Sequence, residues 1–127
     1  MTQPKPRILV ADDEPNLLEA LRLLFDRNGF EVLLAQDGQE AVETGQREQP
    51  DVIILDLQMP TVDGFTVLQE LNVDGRTSVI PVIVSTSLNV NAELKARIPA
   101  GTRVISKNTI SRENVSLFLR DATQSAP

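Results

Sequence analysis

The 127-residue chain contains no cysteine and no histidine. Without Cys there can be no disulfide, no thiolate zinc site and no thiol nucleophile. Without His there is no Ser-His-Asp triad, no HExxH metal site and no phosphohistidine within the chain. Any chemistry falls to carboxylates, hydroxyls, Lys and Arg, with or without a hard metal ion. Tyrosine is missing as well. Cations are in the minority: 12 Lys+Arg stand against 18 Asp+Glu, for a net charge of −6, and they are scattered. Contacts to nucleic-acid phosphates need clustered Lys and Arg, so direct nucleic-acid binding is not expected. No apolar run approaches the ~20 residues of a membrane helix, so no membrane association is expected. Met1–Arg7 is polar and carries prolines rather than an apolar leader core, which points to a cytoplasmic protein.

What is present is enough apolar material for one globular domain with its own core: 41% hydrophobic residues against 24% charged. Five short apolar runs recur, at Ile8–Ala11, Val32–Ala35, Val52–Leu55, Val82–Val84 and Val104–Ile105. The first four are continuous rather than alternating, as in strands covered on both faces of a parallel sheet. Segments with helical spacing lie between them. Leu17, Leu18, Leu21, Leu24 and Phe25 share one face, opened by Pro15 and closed by Gly29. A second helix over 38–48 has a thin apolar face of Ala41, Val42 and Gly45. A third starts near Gly64 and presents Phe65, Leu68 and Leu71. A fourth, over 91–97, is short, with Leu94 and Ile98 as anchors. A fifth, over 111–122, carries Val115, Phe118, Leu119 and Ala122 behind an N-cap at Ser111. Strand and helix alternate five times, which predicts an α/β fold: a five-stranded, mostly parallel sheet flanked by five helices. A single domain is expected over 1–127, with its core in 7–122 and polar tails at both ends.

The acidic residues that a core does not need fall in a pattern. Asp12 and Asp13 directly follow the first run, and Asp56 directly follows the third. Ligands of open α/β sheets bind beyond the carboxyl ends of the strands, where the strand order reverses. A sheet ordered 2-1-3-4-5 makes the first and third strands neighbours and brings these three carboxylates into one crevice. A lone Asp after a strand is usually a cap or a solvated loop residue. Three at matching strand ends call for a cation, and Mg²⁺ suits carboxylate oxygens that share a site with phosphate. The fourth strand leads to Ser85-Thr86-Ser87 and the fifth to Ser106-Lys107. Carboxylates, a hydroxyl, an ammonium and a metal ion are what phosphoryl transfer requires.

At this point the sequence resembles the response regulator receiver domain of two-component signalling. The likeness covers about Arg7–Ala122 and is strongest where Val52-Ile53-Ile54-Leu55 runs into Asp56-Leu57-Gln58-Met59-Pro60-Thr61-Val62-Asp63-Gly64. That stretch fits an apolar strand followed by D-x-x-M-P-x-x-x-G. Ala11-Asp12-Asp13-Glu14-Pro15, Pro81 through Ser87 and Gly101 through Lys107 fit three further family motifs. The resemblance implies the flavodoxin-like, doubly wound order 2-1-3-4-5. It implies that Asp56 accepts a phosphoryl group from a histidine kinase or a histidine phosphotransfer protein. Mg²⁺ would be held by Asp13 and Asp56, by the Gln58 backbone carbonyl, and by Asp12 through water. Thr86 would contact the phosphoryl group and report its arrival, with Ser85 a second candidate that the spacing from Pro81 disfavours. Lys107 would pair with the phosphoryl group, or with Asp56 beforehand, and Gly64 would supply a positive φ. Gln58 and Leu88 would flank the path of hydrolytic water. Such a domain is a signalling switch rather than a turnover enzyme, with self-phosphorylation and self-dephosphorylation of its own. The output face could also join two copies into a homodimer.

Three features depart from the family pattern, one of them a stretch from Thr86 to Lys107 that is about one residue short and holds a weak fourth helix. Asn108 follows Lys107 where a proline is usual, and Val104 stands where an aromatic is usual. Competing readings are weaker. A Mg²⁺-dependent aspartyl phosphatase or phosphotransferase would carry a second Asp two residues after its nucleophile, where this chain has Gln58. An unphosphorylated scaffold would have no use for the full set Asp12, Asp13, Asp56, Thr86 and Lys107. A flavin site would need a phosphate loop where Asp12-Asp13-Glu14 repels phosphate.

Overall fold

The computed structural model describes residues 5–59, 62–87, 91–100 and 102–106. Five parallel strands form one sheet in the order β2-β1-β3-β4-β5: β1 is Arg7–Ala11, β2 Glu31–Ala35, β3 Val52–Asp56, β4 Val82–Thr86 and β5 Arg103–Ser106. Four helices fall between them: α1 Pro15–Arg27, α2 Gly38–Glu48, α3 Gly64–Val73 and α4 Ala92–Ala96. The fifth expected helix, over 111–122, lies outside the described residues.

The continuous apolar runs are explained by two cores, one on each face of the sheet. Alternate residues of a strand point to opposite faces. Ile8, Val10, Val52, Ile54 and Ile83 join Leu18, Leu21 and Phe25 of α1. Leu9, Ala11, Ile53, Leu55 and Val84 join Ala41 of α2, Val67, Leu68 and Leu71 of α3 and Leu94 of α4. All five residues of β3 are buried, so the central strand has no solvent face on which polar residues could alternate.

Helix ends are set by local chemistry. Pro15 stands at N1 of α1, where a missing N–H costs nothing. Gly29 takes φ +93° after that helix, and the N–H groups of Gly29 and Phe30 bond the carbonyls of Asp26 and Phe25 at 3.3 and 3.0 Å. This is a Schellman motif, sealed by the edge-to-face contact of Phe30 with Phe25 at 5.5 Å. Asp37, Asp63 and Asn91 cap α2, α3 and α4 through the N–H groups of Glu40, Thr66 and Leu94 at 2.8, 2.9 and 2.9 Å.

Two expected helix faces are shifted. In α2, Thr44 is buried with Gly38, Ala41 and Gly45, while Val42 is only partly buried. Small residues at 38, 41 and 45 let α2 lie close to its neighbours. In α3, Val67, Leu68 and Leu71 are buried. Phe65 is partly buried, with the Arg97 guanidinium 3.7 Å above its ring centroid.

After α3, the Asp74 carboxylate accepts from Arg76 Nη2 at 2.8 Å, Nε at 3.1 Å and the backbone N–H at 2.8 Å. The guanidinium bonds, then the backbone bond, hold Asp74 down to about 2 from its usual 3.8. A depressed carboxylate stabilises the fold above its unfolded value, and that contribution is lost as pH falls through about 2. An NMR titration of Asp74 is expected to show a midpoint near 2; a midpoint at the ordinary value would mean that the pair does not form.

Candidate functional site

Strand register builds the site. Ala11 pairs with Leu55, and Leu55 with Val84. One residue further along, Asp56 pairs with Ser85, and Ser85 with Ile105. Asp12, the residue after Ala11, continues the same row on β1. Asp12, Asp56 and Ser85 therefore lie side by side at the carboxyl ends of β1, β3 and β4. The next row holds the pair Thr86 and Ser106.

The three predicted carboxylates meet. Asp12, Asp13 and Asp56 each offer an oxygen, and these oxygens lie within 4.8 Å of one another. Asp12 and Asp56 are buried, at 3% and 1% exposure, and Asp13 is exposed to solvent. Two of them are held by their own backbone. Asp12 Oδ1 accepts from Glu14 N at 2.9 Å, and Asp56 Oδ1 accepts from Gln58 N at 3.1 Å. Each bond fixes one oxygen and turns the chain after the strand over the carboxylate. Like charges this close repel strongly in a partly dry crevice. Two buried carboxylates and an exposed one form an all-oxygen donor set open on one side. That chemistry suits a hard divalent cation that keeps some of its water.

Gly64 has a role different from the expected one. It has no positive φ; Gly29 is the only glycine with one among the described residues. Its need is space. A Cβ at Gly64 would lie 2.3 Å from Leu57 Cα and 2.6 Å from the Asp56 carbonyl oxygen. The first turn of α3 is thus pressed against the backbone that carries Asp56, and Gly64 N–H bonds Leu57 O at 3.0 Å. Gly38 does the same across the loop, where a Cβ would meet the Val62 carbonyl oxygen at 1.9 Å.

The remaining predicted residues divide. Thr86 is fully buried at the end of β4, one step beyond the partner of Asp56. Gln58 is exposed, and its Oε1 accepts from Ser87 Oγ at 2.7 Å. This bond ties the loop after β3 to the loop after β4 across the mouth of the site. Lys107, Leu88 and Asn108 lie outside the described residues; Lys107 directly follows Ser106, the partner of Thr86. Val104, in place of an aromatic, is partly buried against the core beneath α3 and α4.

The sequence matches the family described as the response regulator receiver domain over residues 8–117. The chain belongs to that family. Its receiver sequence is 43% identical over 83 residues to RpaA of Synechocystis, a DNA-binding transcriptional regulator, covering 65% of this chain and 34% of that protein. It is 38% identical over 81 residues to PilH of Pseudomonas aeruginosa, covering 64% of this chain and 67% of that protein. This chain thus spans about a third of RpaA and two thirds of PilH. The receiver fold superposes on the receiver domain of a Pseudomonas aeruginosa sensor histidine kinase with a TM-score of 0.82 and 23% identity, covering 94% of this chain and 98% of that one. Receiver domains are the phosphoryl-accepting switches of two-component signalling, and this chain is one.

Proposed function

We propose that this receiver takes a phosphoryl group from a sensor histidine kinase or a histidine phosphotransfer protein onto Asp56. Mg²⁺ would be held by Asp13 and Asp56 and by the Gln58 backbone carbonyl, with Asp12 reaching it through water. The observation that carries this reading is the convergence of three carboxylates within 4.8 Å at adjacent strand ends. The similar Pseudomonas receiver is described with a magnesium ion coordinated in its active-site cleft, which supports the choice of metal.

An Asp56 carboxylate oxygen attacks phosphorus in line. The P–N bond of the donor phosphohistidine breaks, its electrons stay on the imidazole nitrogen, and an acyl phosphate forms on Asp56. When bound there, Mg²⁺ would supply positive charge to offset that developing on the phosphoryl oxygens. The backbone N–H of Gln58 bonds one Asp56 oxygen and so fixes the carboxylate at the end of β3. Thr86 donates to the phosphoryl group and moves toward it. Lys107 supplies the fixed positive charge. The same chemistry with a small phosphodonor gives self-phosphorylation, and attack by water gives self-dephosphorylation. Motion of Thr86 reaches the α4–β5 side, where Val104 takes the place of a swinging aromatic. That face is the output surface, toward a partner protein, an appended domain or a second copy. The protein works in the cytoplasm, where histidine kinases deliver their phosphoryl groups.

Mg²⁺ is expected to raise the melting temperature at neutral pH by several degrees, because it binds the folded acidic site and not the unfolded chain. Asp13→Asn should weaken this effect while leaving the apo fold intact, since Asp13 is exposed. An unchanged melting temperature from zero to millimolar Mg²⁺ would show that the carboxylates serve no metal.

A further inference from the structure

Ser85 is a group that the mechanism above does not use. It is 2% exposed, and among the described residues its Oγ has no hydrogen-bond partner. A buried hydroxyl is normally satisfied, and one left alone loses its water without compensation. Its neighbours on the same sheet face are Ile83 below it in β4 and Ile105 beside it in β5, neither of which can bond it. On its other side stands Asp56, its in-register partner in β3. Adjacent strands lie about 4.8 Å apart, so Ser85 Oγ is within a rotamer change of whatever the Asp56 side chain carries.

Position across the sheet adds direction. Asp12 flanks Asp56 on the β1 side, where the metal-binding carboxylates gather. Ser85 flanks it on the β4 side, next in sequence to Thr86. A phosphoryl group on Asp56 introduces acceptor oxygens with a negative charge, beside a buried donor that has no partner among the described residues.

We infer that Ser85 is a second hydroxyl of the acceptor site, whose Oγ takes an oxygen of the acyl phosphate on Asp56 as its hydrogen-bond partner. The inference rests on the phosphoryl-accepting reading above. The orphaned hydroxyl then acts as a device of the switch. It destabilises the unphosphorylated state and is satisfied in the phosphorylated one, adding to the contact made by Thr86.

The test uses beryllofluoride, a tetrahedral phosphoryl mimic, with Mg²⁺ on the intact chain. Wild type, Ser85→Ala and Ser85→Thr are compared for apo melting temperature and beryllofluoride affinity. Ser85→Ala should melt at the wild-type temperature or above it, because an unsatisfied group has gone. Its beryllofluoride affinity should fall about tenfold, the worth of one hydrogen bond to a charged group. Ser85→Thr keeps the hydroxyl and should restore most of the affinity. Equal affinity in wild type and Ser85→Ala overturns the inference alone. So does a loss of affinity that tracks a lower apo melting temperature, which would make Ser85 a packing residue. Failure of the wild type itself to bind beryllofluoride overturns the phosphoryl-accepting reading, and this inference with it.

Discussion

Asp56→Asn is expected to abolish phosphorylation. Wild-type protein incubated with acetyl phosphate and Mg²⁺ should gain the mass of one phosphoryl group and lose it in alkali, as an acyl phosphate does. The amide that replaces the carboxylate is nearly the same size and can still accept the N–H of Gln58, so fold and loop should persist. What it lacks is the anionic oxygen that attacks phosphorus. The substitution also removes one of three converging negative charges, so the apo protein should be as stable as wild type or more so. Intact-mass spectrometry with a parallel melting curve separates the two effects. A variant that is phosphorylated at the wild-type level would place the acceptor elsewhere.

Gly64→Ala is expected to have a large structural effect at the acceptor itself. The new Cβ would lie 2.3 Å from Leu57 Cα, 2.6 Å from the Asp56 carbonyl oxygen and 2.9 Å from the Leu57 carbonyl carbon. All three are backbone atoms of the segment that presents Asp56, so no side chain can swing aside. Either α3 retreats from the sheet, opening the packing of Val67 and Leu68, or the strand end moves and takes Asp56 with it. Overpacking of this kind costs about 3 kcal/mol or more. Both stability and phosphoryl acceptance should fall together. Gly75→Ala is the control: it has open space at its Cβ and no positive φ, so it should be neutral or slightly stabilising. Urea denaturation of the three proteins decides the matter. A Gly64→Ala variant as stable as the control would show that the contact between α3 and β3 is loose.

The sheet is legible in the sequence because its signal is compositional. Runs such as Val52-Ile53-Ile54-Leu55 can be buried on both faces only in a covered parallel sheet, and the strands stand where those runs stand. The acidic convergence is legible because strand ends are defined by the runs that precede them. The order 2-1-3-4-5, by contrast, comes from the family resemblance; run lengths alone do not choose it. What escapes the sequence depends on tertiary contact. Gly64 reads as a conformational glycine, whereas its constraint is the backbone of Asp56 and Leu57 pressed against it, a closeness that only the folded loop creates. Thr77 gives no sequence signal at all, yet it is 1% exposed and its Oγ1 donates to the Leu71 carbonyl at 2.7 Å, closing the end of α3. Val42 outranks Thr44 in hydrophobicity, but the facing surface of α2 is set by Gly38, Ala41 and Gly45, and Thr44 falls on that side. Ser85 ranks behind its neighbour Thr86 in the sequence, because a missing hydrogen-bond partner is visible only in three dimensions.

The central claim is that one carboxylate in this chain, Asp56, forms the acyl phosphate. The most direct measurement is to phosphorylate the protein with acetyl phosphate and Mg²⁺, reduce it with borohydride, and sequence its peptides by tandem mass spectrometry. Borohydride converts a phosphorylated aspartate to homoserine and leaves free carboxylates untouched. The account predicts homoserine at position 56 and Asp at positions 12 and 13. Homoserine at 12 or 13, or none in a protein that has taken up phosphate, would contradict it.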